Sequence, residues 1–116
     1  MDRISRKEII ERWAMTYAED GYYVRADRVE GLPYPMPVNQ VVPSIEATKE
    51  DSRVLVWVIE VQDTLEAPHT RLDLQALNAA RNDGTALHVV VAVECATGLK
   101  EMMDDWEIHP DPVHVT

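Results

Sequence analysis

Val54-Leu55-Val56-Trp57-Val58-Ile59-Glu60-Val61-Gln62 is the stretch on which the fold turns. A near-continuous apolar run of this length, rich in β-branched residues, reads as a central strand covered on both faces. Its last residues place a carboxylate and an amide two positions apart. Side chains alternate across a strand, so Glu60 and Gln62 share a face. A charged group on a core strand is costly unless it is paired, hydrated or bound to a metal. Glu60 is therefore expected at the strand end, where a site can open to water.

The flanking sequence supplies elements to cover that strand. Ser5-Arg6-Lys7-Glu8 fits a capping box, and Ile9, Ile10, Trp13 and Tyr17 follow at helical spacing, with Gly21 as terminator. Tyr22 to Ala26 reads as a strand with one tyrosine ring turned in and one out. Residues 30–39, with Gly31, Pro33, Pro35 and Pro37, form a loop. Val41 to Ala47 reads as a second strand, with Pro43 marking an edge or irregularity. Lys49 to Ser52 turns the chain into the long strand. Beyond it, Thr70 is expected to cap a helix with Leu72, Ala76, Leu77 and Ala80 inward, ended by Gly84. Leu87 to Val93 reads as a fourth core strand. Thr97 is expected to cap a last helix carrying Leu99, Met102, Met103 and Trp106, and Val113 to Val115 suits an edge strand.

Strands joined by short turns pair antiparallel, and the step through a helix to the fourth strand is a parallel crossover. The fold class that follows is α/β: a three-layer sandwich around a mixed four-stranded sheet. Its order is α-β-β-β-α-β plus a C-terminal helix, in a single domain over residues 1–116.

Composition narrows the function classes. The formal net charge is −10, which opposes nonspecific nucleic-acid binding because that requires Lys and Arg to displace counterions. The imbalance is uneven: the stretch after residue 98 has only Lys100 against Glu101, Asp104, Asp105, Glu107 and Asp111. The N-terminal part balances Arg3, Arg6, Lys7, Arg12, Arg25 and Arg28 against as many acids. One cysteine, Cys95, excludes an internal disulfide and fits a reducing compartment. No apolar run is long enough to span a bilayer, and Met1 to Glu11 lacks a signal-peptide core, so a cytoplasmic protein without a membrane partner is expected. His69, His88, His109 and His114 lack the spacing of zinc ligands. Trp13, Trp57 and Trp106 fall on core faces.

The element order, with Pro43-Ser44-Ile45-Glu46-Ala47 and Ile59-Glu60-Val61-Gln62 on consecutive strands, resembles the PD-(D/E)XK nuclease superfamily. That superfamily has the fold of restriction endonucleases and Holliday-junction resolvases. The likeness spans roughly residues 5 to 94 and rests on order and placement together, since each motif is short. It implies a site in which a Pro-Asp pair and an Asp/Glu-x-Lys motif hold Mg or Mn for phosphodiester cleavage. This chain departs from the pattern. Ser44 stands in the place of the metal-binding aspartate and Gln62 in the place of the lysine, so only Glu60 is retained. Gln62 can orient a water but cannot neutralise phosphate charge. Glu46, two residues past Ser44, is the alternative metal ligand beside Glu60, and Glu8 or Glu11 could also contribute.

Three readings follow. The first is a catalytically degenerate nuclease-like domain acting as a binding or assembly module. The second is a working endonuclease with Glu46 and Glu60 on the metal and Gln62 orienting water, which requires a basic patch near Glu60 for nucleic acid. The third is an unrelated small α/β domain that contacts a protein partner or forms a homodimer.

Overall fold

The computed structural model describes residues 5–60, 68–82, 84–110 and 112–116. Helix α1 (Arg6–Glu19) begins as the capping box requires, with the Ser5 hydroxyl accepting from the Glu8 amide at 3.2 Å. It ends at Gly21, whose φ of 95° lies in the left-handed region a glycine adopts without strain. Strands β1 (Tyr23–Ala26), β2 (Ile45–Lys49) and β3 (Ser52–Ile59) follow, then α2 (Pro68–Ala79) and β4 (Thr85–Val91). A 3-10 turn at Val93–Cys95 leads into α3 (Ala96–Trp106), and β5 (Val113–Val115) closes the chain.

The sheet is mixed and has five strands in the order β1-β2-β3-β4-β5, one more than the four-stranded core expected. The extra strand is the C-terminal segment, parallel to β4. β1, β2 and β3 form an antiparallel meander, and β3 and β4 are parallel.

Alternation along the strands divides the core in two. Val54, Val56, Val58 and Val90 pack with Ile9, Ile10, Ala14 and Tyr17 of α1. Leu55, Trp57, Ile59, Leu87, Val89 and Val91 pack with Leu74 and Leu77 of α2 and Leu99 and Met103 of α3. Among the described residues the sheet thus carries one helix on one face and two on the other. Cys95 is fully buried with the second group.

Several elements differ from the sequence reading, each for a local reason. Residues 41–44 do not join β2. Asn39 and Gln40 both have positive φ, 50° and 70°, and form a tight turn closed by reciprocal Val38 and Val41 hydrogen bonds of 2.7 and 3.0 Å. Pro43 then has no amide to give a ladder, and the strand starts at Ile45. Helix α2 starts at Pro68, which suits the first turn because it lacks an amide there. Thr70 is consequently inside the helix and fully buried rather than its cap. The inward face is Thr70, Leu74 and Leu77, and Leu72, expected inward, is 65% exposed. The N-cap of α3 is Cys95 rather than Thr97, and no side chain caps that end.

The helix phase gives a direct check. Leu74→Ala is expected to destabilise by about 2–5 kcal/mol through lost burial and a cavity. Leu72→Ala should stay within about 0.5 kcal/mol of the native chain. Urea unfolding of both variants distinguishes this phase from its alternative.

Candidate functional site

Two places in the molecule gather chemically capable side chains. The first is the end of the sheet where the sequence placed a nuclease-like site. Ser44 sits just before β2 and is fully enclosed. Its amide donates to Val56 O at 2.8 Å, and its carbonyl accepts from the Asp27 amide at 2.9 Å. Its hydroxyl oxygen accepts from the Val58 amide at 3.1 Å and from Arg6 Nη2 at 3.0 Å. Arg6 Nη1 donates to Asp27 Oδ2 at 3.1 Å. One serine thus ties the start of α1, the end of β1 and the last turns of β3 together. Glu60 is one residue beyond β3, two past the Val58 amide that Ser44 receives, and is half-buried. Gln62 lies outside the described residues.

The ladder register does not bring Glu46 and Glu60 together. Glu46 pairs with Leu55, five residues before Glu60, a separation of about 16 Å at strand rise. It also shares the face of Leu55, under α2 and α3, whereas alternation continued past Ile59 turns Glu60 to the α1 face. Glu46 is buried and has its own partner, Arg53 Nη1 at 3.8 Å. Glu8 is exposed on α1, and Glu11 pairs with Lys7 at 3.9 Å.

These residues do not fit a divalent cation. Mg keeps several waters and needs carboxylate charge, but Ser44 is closed to solvent and its oxygen already accepts from a guanidinium. A second positive charge beside Arg6 would be repelled. Among the described residues, no group of three or more His, Cys, Asp and Glu side chains is arranged to hold a metal. Of the described N-terminal cations, Arg12 is exposed, and Arg6, Lys7, Arg25 and Arg28 lie against partners of their own. Arg6 and Arg28 both engage Asp27, and Arg25 lies over the Tyr23 ring and donates to Tyr34 O. Arg3 lies outside the described residues.

The second place is one that sequence spacing did not reveal. His88 on β4 and His114 on β5 come from segments far apart in the chain, yet they meet on the α1 face. His114 pairs with Val90, and His88 precedes Val90 by two residues, so the three side chains share that face. The His88 and His114 ring centroids are 5.7 Å apart. His114 stacks on Trp13 with centroids 4.3 Å apart and planes at 29°. Tyr17 Oη lies 2.6 Å from His88 Nδ1, and Tyr22 packs edge-on to Tyr17 at 5.7 Å. Together with Thr16, Glu19, Asp20 and Pro112 these rings line an open cavity of about 430 Å³. Burial, and secondarily Tyr22, pushes the Tyr17 phenol well above its ordinary value, so it keeps its proton while hydrogen-bonded to His88 Nδ1. Burial also lowers the His114 pKa below its ordinary value. The only sequence signal was negative: His88 and His114 interrupt strands that are otherwise apolar.

No protein-family model, curated protein or solved structure matches this chain. Among the described residues no helix is long and apolar enough to cross a membrane.

Two outcomes test this geometry. Ser44→Ala leaves the buried Val58 amide without its acceptor and should cost about 1–3 kcal/mol in unfolding experiments. Ser44→Thr, which keeps the oxygen, should recover part of that loss. The His114 ring should titrate below 6.5 when followed by NMR. Because that pKa is depressed on folding, its effect is a loss of stability as pH falls from about 6.5 through the folded value. His114→Asn should flatten that part of the stability profile.

Proposed function

We propose that the chain is a PD-(D/E)XK nuclease-like domain that has lost metal-dependent cleavage and serves as a binding or assembly module. Support for the ancestry comes from the helix–meander–helix–strand order, with a parallel fourth strand. It comes also from position 44, whose hydroxyl meets β3 two residues before Glu60, where the resemblance asks the paired motifs to converge. The observation that carries the loss of cleavage is the Arg6 guanidinium seated on the Ser44 oxygen. A protein cation stands where the chemistry needs an acidic ligand for a metal.

The working-endonuclease reading requires Glu46 and Glu60 on one ion, and a register separation of about 16 Å on opposite faces opposes it. With a net charge of −10 and with Arg6, Arg25 and Arg28 engaged in contacts of their own, a protein partner or a second copy suits this surface better than nucleic acid. Val93, Val113 and Val115 are exposed at the β5 edge and offer an apolar contact there.

Calorimetric titration with Mn²⁺, on the native chain and on Glu60→Ala, tests the reading. It predicts no saturable binding to either and no cleavage of branched, single-stranded or double-stranded DNA. Native-chain binding that disappears in Glu60→Ala would overturn it.

A further inference from the structure

The cavity beside α1 has the size of a small-molecule site, since such sites span about 300–1,000 Å³ and combine apolar walls with a few polar groups. Its walls are mostly π surface: Trp13, Tyr17 and Tyr22, with the imidazoles of His88 and His114. Its rim is acidic. Glu19 and Asp20 stand at the C-terminal end of α1, where the helix dipole is also negative and no basic residue occupies the last turn. Among the described residues lining the cavity, none is Lys or Arg. Phosphates and carboxylates would therefore meet repulsion from Glu19 and Asp20, and the Lys49 ammonium at the border is already tied to Asp20 O and the Tyr22 face.

The fold itself demonstrates the opposite preference. The Lys49 ammonium lies 5.0 Å above the Tyr22 ring and donates to Asp20 O at 2.6 Å. Both of those residues belong to the cavity wall, so a primary ammonium is already held at its border by an aromatic face and a helix-terminal carbonyl. Aromatic faces attract cations through their quadrupole, and the attraction grows as the site is desolvated. The His114 imidazole favours its neutral form.

We propose that this cavity binds a small organic cation, an amine with an aromatic or apolar body, independently of the nuclease-like reading. The ring of the ligand packs between Trp13, Tyr17 and Pro112, and its ammonium turns toward Glu19 and the α1 terminus.

Tryptamine, 2-phenylethylamine and choline are the probes, titrated to 10 mM and followed by chemical shifts of the Trp13 and His114 rings. At least one should bind saturably. Its affinity should exceed that of the neutral isostere of an aromatic amine, 2-phenylethanol, by about five- to tenfold, the scale of a partly desolvated cation–π contact. The anion 3-phenylpropionate should not bind. Glu19→Gln, an exposed substitution that leaves the core untouched, should weaken the amine several-fold and leave the alcohol unchanged. Trp13→Leu should remove binding of both while a native thermal transition is retained. Equal affinity for amine and alcohol, preference for the anion, or no saturable shift with any of the three amines would overturn the assignment.

Discussion

Burying β3 and β4 on both faces commits the chain to covering two surfaces of one sheet, and the described helices do so unequally. Five strands spaced about 4.8 Å apart present a surface about 19 Å across. A helix with its side chains is about 10–12 Å wide. Two helices therefore close the face of Leu55, Leu87 and Val89, whereas α1 alone lies over the face of Val54, Val56 and Val58. Its principal contacts are with β1, β2 and β3. The α1 side of β4 and β5 is left to Trp13 and Tyr17, which overhang it. The polar-tipped residues of those strands, His88 and His114, sit where cover runs out. The cavity thus lies where the cover from α1 thins out, and the Trp13 and Tyr17 rings reaching from that helix give it its aromatic lining.

At the end of the sheet near Glu60 the constraint is different. There α1, β1, β2 and β3 converge, and backbone groups must find partners out of reach of water. Ser44 resolves this by replacing a ladder bond with its hydroxyl, and Arg6 and Asp27 satisfy what remains. On the opposite face the buried Glu46 carboxylate lies 3.8 Å from the half-buried Arg53 guanidinium. In each case a polar or charged group on an otherwise apolar strand faces an oppositely charged or hydrogen-bonding group of the protein.

Much of this was legible from the chain alone. The both-face apolar pattern of Val54 to Ile59 and Leu87 to Val91 dictated two-sided cover. Ser5 and Glu8 marked the start of α1, and Val113 to Val115 proved to be a strand. What escaped was register and phase. Strand periodicity says which residues share a face but not which partner residue they oppose, and only the turn at Glu50, with φ of 52°, fixes Glu46 against Leu55. Leu72 and Leu74 are both leucines on one helix, and tertiary packing alone selects between them. The Asn39–Gln40 turn lacks the glycine that usually announces positive φ at both central residues. His88 and His114 are neighbours only because β5 adds in parallel to β4, a pairing invisible to spacing rules built for ligands on one helix or hairpin.

The contact between Arg6 and Ser44 also bears on how this protein can change. A guanidinium stays charged throughout the range in which proteins operate, and it cannot diffuse away as a bound ion can. Introducing an aspartate at position 44 by itself would give Arg6 a stronger counter-ion instead of a vacant ligand. Removing Arg6 by itself would strip Ser44 and Asp27 of their shared donor. A metal ligand at this position therefore requires both substitutions together, with each intermediate either locked or weakened, so the present charge arrangement behaves as a ratchet.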